Sequence, residues 1–154
     1  MQYWLFKSEP DAFSIDDLAA KPNQTEHWDG IRNYQARNYL RDEVKVGDQL
    51  FFYHSSCQDV GIAGVAEVVK AAYPDHTQFN PESKYYDPKA SLDNPRWVMV
   101  DVKFKQKFAR VLPLAKIKSM PQIREIGLVK KGHRLSIMPV IESEFKALLS
   151  AAGG

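Results

Sequence analysis

Apolar and polar positions alternate most cleanly over residues 97–108, where Val98, Val100, Val102 and Phe104 fall on one side and Asp101, Lys103, Lys105 and Lys107 on the other. A period of two predicts a long strand with one buried face and a basic outer row. Gln49-Leu50-Phe51-Phe52-Tyr53-His54 is aromatic without alternation, which predicts a strand buried on both faces. A second apolar run, residues 60–70, follows the polar connection 55–59, so the two should pair antiparallel. Gly61 and Gly64 mark a bulge or a close backbone approach there. Residues 2–6 read as a short strand ended by Pro10, and residues 134–138 as a last strand stopped by Pro139.

Helical signals lie between these runs. Ser14 and Asp17 form the S-x-x-D pattern of a capping box ahead of about two helical turns, ended by Lys21-Pro22-Asn23-Gln24. Asn33 can cap a second helix over residues 34–43, with Ala36, Tyr39, Leu40 and Val44 on one stripe. Val111-Leu112-Pro113-Leu114 is a short extended piece, and Ser119-Met120-Pro121-Gln122 begins a third helix running to Gly127. A fourth, over residues 142–151, turns Phe145, Leu148 and Leu149 inward. Residues 73–96 hold four prolines and no periodicity, yet include Phe79, Tyr85 and Tyr86, as an ordered flap over a site would. The pattern predicts one α+β domain spanning residues 1–154: a mostly antiparallel β barrel of five to six strands with short α-helices around it.

Composition narrows the function. With 44% hydrophobic residues among 154, the chain can bury a real core. It has no apolar run near the roughly 20 residues needed to cross a membrane, no signal-peptide pattern, and a single cysteine, Cys57. A cytoplasmic protein with no membrane partner is expected. Residues 1–96 carry a net −5 and residues 97–154 a net +7, which suits a basic face for phosphates as well as a solvated sheet edge. His27, His54, His76 and His133 lack metal-ligand spacing, and no phosphate-binding glycine loop is present, so neither metal nor cofactor is implied. His54 and Ser55 are neighbours on a strand and point to opposite faces, which argues against a catalytic dyad.

The densest chemistry lies in Trp28-Asp29-Gly30-Ile31-Arg32-Asn33-Tyr34-Gln35-Ala36-Arg37-Asn38, with further polar and aromatic residues at strand ends: Lys7-Ser8, Tyr53-His54-Ser55, Tyr85-Tyr86 and Arg134-Leu135-Ser136. A flipped-out base needs an aromatic to stack on and donors and acceptors along its edge, and this set holds both. On spacing alone, Trp28 reads as a core tryptophan whose indole N–H is satisfied by backbone.

These motifs, with Tyr3-Trp4-Leu5-Phe6-Lys7-Ser8-Glu9-Pro10, Gly47-Asp48, Gly61-Ile62-Ala63-Gly64 and Tyr85-Tyr86-Asp87-Pro88, occur in an order that resembles the EVE domain family, the PUA-like proteins related to thymocyte nuclear protein. The resemblance spans essentially the whole chain. It implies a PUA-like pseudobarrel whose pocket, similar in place to those of YTH and SRA-type readers, accepts a modified base of DNA or RNA without altering it. Carried over, Trp28 is the stacking wall, and Lys7, Ser8, Asn33 and Ser55 contact the base or its flanking phosphate. Arg32, Tyr53, His54, Tyr86, Arg134 and Ser136 line or support the pocket. Ile31 stands where valine is common, and Ser56-Cys57 replaces a frequent asparagine. The rival reading is an enzyme acting on a nucleotide or nucleic acid through His54 or the Tyr85-Tyr86 flap.

Overall fold

Aromatic side chains on both sides of the run Gln49–His54 require a cover on each face, and the strand accordingly lies inside a sheet. The computed structural model describes residues 1–154. Its strands are β1 (Tyr3–Ser8), β2 (Thr25–His27), β3 (Gln49–His54), β4 (Gly61–Pro74), β5 (Val98–Pro113) and β6 (Ile137–Val140), in the spatial order β2-β5-β4-β3-β1-β6. All pairs are antiparallel except β1 with β3, which run parallel from Tyr3 opposite Gln49 to Ser8 opposite His54. Four helices complete the fold: α1 (Ile15–Ala20), α2 (Tyr34–Asp42), α3 (Leu114–Ser119) and α4 (Glu142–Ala151).

The expected barrel is corrected to an open sheet. β2 and β6 are both edges, with three and four residues respectively, and no ladder joins them. Helix α2 packs against β4 and β5 and also against β6, so the sheet curls around a helix that fills the gap. One core joins Trp4, Phe6, Leu50 and Phe52 to Ala36, Leu40 and Val44 of the α2 region. The other joins Leu5, Phe51 and Tyr53 to Ile117 of α3 and to Phe145 and Leu148 of α4.

The local signals explain most of the elements. Ser14 Oγ accepts from Asp17 N at 3.1 Å and Asp17 accepts from Ser14 N at 2.8 Å, which completes the capping box. Asn33 caps α2 by accepting from Ala36 N at 3.0 Å. At Gly61 and Gly64 the strands approach so closely that a Cβ would lie 2.1 Å from the Leu112 carbonyl and 2.2 Å from that of Gln106. Register shifts between Ile62 and Gly64 and between Val65 and Ala66 mark bulges. They let β5 send Val100 and Val102 into one core and Phe108 and Leu112 into the other, although all four positions are even.

Two expected elements differ, and one strand is new. Residues 120–126 are turns rather than helix, because the carboxylate of Glu144 takes the backbone N–H groups of Arg124, Glu125 and Ile126 and leaves none for an i−4 ladder. The third helix instead occupies Leu114–Ser119, directly after Pro113. β6 continues through Pro139, which an edge strand tolerates because the missing donor costs it no ladder bond on the open side. Finally, Thr25–His27 forms an edge strand on β5, too short to show a period.

Asp48 fastens the start of the sheet. It is 3% exposed and accepts from Trp4 Nε1 at 3.0 Å, Gln2 N at 3.0 Å and Lys45 N at 2.9 Å. Asp48→Ala leaves these donors without their acceptor and should cost about 2 to 3 kcal/mol, read from the urea midpoint of unfolding. An unchanged midpoint would show that the three bonds contribute nothing.

Candidate nucleic-acid interface

Parallel strands β1 and β3 end side by side, so whatever follows each of them shares one rim of the sheet. Ser55 N donates to Ser8 O at 2.9 Å, and Lys7 N donates to Ser136 O at 2.8 Å. Two backbone bonds thus bring Lys7, Ser8, Ser55 and Ser136 together from three distant parts of the chain. The facing wall is Glu26 to Ile31, leading out of β2, and Lys84 and Tyr85 close a third side. These groups, with Glu9, Ala12 and Phe13, line a cavity of about 680 Å³, within the range of small-ligand pockets.

Trp28 is 6% exposed, with its ring against Phe6, Phe52 and Phe13 at centroid distances of 5.4, 5.3 and 6.2 Å. It is therefore part of the core as well as of the cavity wall. Unlike Trp4 and Trp97, whose indole N–H groups donate to Asp48 and Asp87, Trp28 makes no side-chain hydrogen bond within the protein. A free donor at a cavity wall is what a ligand can use.

Lys7 is half-buried, with no carboxylate in ion-pair range, and its ammonium lies 5.8 Å from the Tyr53 ring centre. Burial pushes its pKa below the usual lysine value. A phosphate oxygen beside it would meet a partly desolvated cation.

The Trp28–Arg32 loop is held by a buried carboxylate. Asp75 is 0% exposed; it accepts from Gly30 N at 2.8 Å, Arg32 Nη1 at 3.1 Å, Thr77 N at 2.8 Å and the Thr77 hydroxyl. Burial alone would raise its pKa, but the hydrogen bonds from Thr77, Gly30 and Arg32 outweigh burial and hold it below the usual carboxylate range. Arg32 spends its other N–H groups on Ile31 O, Thr77 Oγ1 and, twice, Tyr85 O. All five guanidinium donors are used, so Arg32 ties the loop to the flap and has none left for a ligand. Gly30, at φ +81°, lies under the Tyr85 ring, where a Cβ would come within 2.6 Å.

The flap itself is ordered by Gln78. Its amide nitrogen donates to Asp75 O and Trp97 O at 2.7 and 2.8 Å, and its amide oxygen accepts from Arg96 N and Trp97 N at 2.9 and 3.0 Å. Both ends of the excursion between β4 and β5 are thereby fixed to each other.

Of the residues singled out from sequence, Lys7, Ser8, Trp28, Ser55 and Ser136 meet at the cavity. Arg32 and Asn33 stand behind it as clamp and helix cap. Tyr53 is buried in the second core, and burial pushes its pKa up to about 12. His54 Nε2 accepts from Ile15 N at 3.1 Å, so its lone pair anchors α1 rather than facing the cavity. Tyr86 is 41% exposed and outside the lining, while its neighbour Tyr85 lines the wall. Arg134 is exposed and outside the lining. Phe13, Asp29, Gly30 and Tyr85 line the wall as well; the sequence marks the last three only as parts of candidate stretches and gives no signal for Phe13.

The basic outer row of β5 is partly neutralised: Lys107 meets Asp16 at 2.8 Å and Lys105 meets Glu67 at 3.9 Å. Lys84 on the flap and Lys130, Lys131 and Arg134 on the segment leading to Ser136 have no such partner.

The Asp75 pKa is lower folded than unfolded, so its stabilisation is present above the unfolded value, about 4, and lost as pH falls through the folded one. The stability gap between wild type and Asp75→Asn should hold constant above about pH 5 and shrink in more acid solution, followed by urea unfolding at each pH. A gap that widened on acidification would contradict the clamp.

The EVE domain family model matches residues 2–151. Human thymocyte nuclear protein 1 is 48% identical, over 96% of this chain and 72% of that protein. A Pseudomonas syringae protein of known crystal structure superposes with a TM-score of 0.93 at 48% identity, covering 97% of this chain and 99% of its own. The crystal structure of human THYN1 protein in complex with 5-methylcytosine-containing DNA superposes with a TM-score of 0.94 at 46% identity, covering 100% and 99%. No helix is long and apolar enough to cross a membrane. With a family match over nearly its full length and relatives near half identity, the chain belongs to the EVE domain family.

Proposed function

We propose that this chain is a non-catalytic DNA-binding module that takes one modified base, with 5-methylcytosine the leading candidate, into the cavity between the β1 and β3 ends and the Trp28–Ile31 wall. The observation that carries the reading is the indole N–H of Trp28, which makes no hydrogen bond within the protein, on a cavity that Lys7 also lines without an ion-pair partner. It is supported by the human THYN1 complex with 5-methylcytosine-containing DNA, a close structural match. Ala12, Phe13 and Ile31 offer apolar surface for a base and its methyl group, and the serine hydroxyls offer polar contacts to its edge. Backbone affinity comes from Lys7, Lys84 and the basic segment 130–134, more than from the row on β5, where Lys105 and Lys107 are paired with carboxylates. In this reading the chain acts as one domain in the cytoplasm, with its curled open sheet serving as a PUA-like pseudobarrel.

Trp28→Ala is a poor test, since removing a core tryptophan costs roughly 3 to 5 kcal/mol of stability. Trp28→Phe keeps an aromatic wall and deletes the N–H. Fluorescence anisotropy with otherwise identical oligonucleotides should show the wild type preferring 5-methylcytosine to cytosine, and Trp28→Phe binding roughly two- to tenfold more weakly. Lys7→Ala should lower affinity for both oligonucleotides alike and reduce the salt slope by about one. Equal binding to modified and unmodified DNA by the wild type would sink the reader assignment and leave only backbone attraction.

A further inference from the structure

Three acidic side chains line the cavity, and they are not equivalent. Glu26 is occupied: Oε2 takes Lys21 Nζ at 3.0 Å, and Oε1 takes His27 N at 3.0 Å and His27 Nδ1 at 2.9 Å. Glu9 is exposed at the rim. Asp29 is half-buried, and its only ionic neighbour is His27 Nε2 at 3.9 Å, beyond hydrogen-bond length. Its backbone is fixed all the same, because Trp28 N donates to Val100 O at 2.7 Å and Gly30 N to buried Asp75 at 2.8 Å. The wall therefore presents, on consecutive residues, a free donor at Trp28 and a free anionic acceptor at Asp29.

Among the pyrimidines, that order of groups fits the one with an exocyclic amine. Cytosine offers acceptors at O2 and N3 and a donor at its exocyclic N4 amine, and a carboxylate is a natural acceptor for that amine. Thymine carries the same 5-methyl group but a carbonyl at position 4, which would face the carboxylate oxygen to oxygen. Building on the reader assignment, we infer that Asp29 is the residue by which the cavity tells one pyrimidine from another, accepting a hydrogen bond from the exocyclic amine and so selecting cytosine-type over thymine-type bases. The 5-methyl group cannot make this distinction, since both pyrimidines carry it.

The test places 5-methylcytosine, cytosine, thymine or 5-methyl-2-pyrimidinone, which lacks the amine, opposite an abasic position in one duplex, so that base pairing holds none of them. The wild type should bind 5-methylcytosine about tenfold or more tightly than thymine or the pyrimidinone. Asp29→Asn, whose amide can also donate, should bring 5-methylcytosine and thymine within about threefold of each other, with an unchanged urea midpoint. The pyrimidinone comparison uses the wild type alone, so it reports on the amine even if the variant folds poorly. Asp29→Asn retaining the wild-type ratio, or the pyrimidinone binding as well as 5-methylcytosine, would overturn the role of Asp29 while leaving a preference for 5-methylcytosine over cytosine, and the reader assignment, in place. Wild-type binding that is equal for all four bases would overturn both.

Discussion

One wall of the cavity depends on a single carboxylate with no access to water. Asp75 sits at the point where β4 gives way to the flap, yet it takes hydrogen bonds from Gly30 and Arg32, more than forty residues earlier in the chain. An anion in that position is tolerable only while its donors are in place. The Trp28–Arg32 loop, the flap and the start of β5 are consequently held as one unit, with Gln78 joining the flap to Trp97 on the far side. Tyr85 is carried over Gly30 by the same bonds, because Arg32 spends two donors on the Tyr85 carbonyl. A wall assembled this way is preorganised before any ligand arrives, and a rigid wall loses little freedom on binding.

The sheet supplies the other half of the site through its one parallel pair. An antiparallel β1 and β3 would have put Ser8 and Ser55 at opposite ends of the sheet. Running parallel, they deliver Lys7, Ser8 and Ser55 to the same rim, where the segment before β6 adds Ser136. The failure of the sheet to close serves the same end: α2 fills the space between β5 and β6, and its cap, Asn33, begins immediately after the clamp residue Arg32.

Much of this was legible in the sequence where the signal was local. The capping box at Ser14, the cap at Asn33 and the run Gln49–His54 each rest on neighbours a few residues apart, the close approach at Gly61 and Gly64 shows in the missing side chains themselves, and each appears as expected. The helix expected after Ser119 failed because the donors that a helix would have used are taken by Glu144, about twenty residues away. β2 was invisible because three residues cannot show a period. At the site, the stretch around Trp28 stood out by composition, and the EVE resemblance gave it a function. Which of its side chains face the cavity is a tertiary fact: Arg32 looks like a ligand arginine until Asp75, Thr77 and Tyr85 are seen to use all its donors. Tyr85 and Tyr86 could not be told apart without knowing that Gly30 leaves room for the first.

The most direct test of a base entering this cavity uses the three tryptophans as reporters. The indole N–H of Trp4 is held by Asp48 and that of Trp97 by Asp87, while that of Trp28 makes no bond within the protein. In nitrogen-15 NMR spectra of the protein titrated with 5-methylcytosine DNA, the Trp28 indole signal should shift strongly as it gains an acceptor, and the Trp4 signal should stay in place. Shifts confined to backbone amides of residues 130–134, with the Trp28 indole unmoved at saturation, would contradict the account by placing the DNA on the basic surface and outside the cavity.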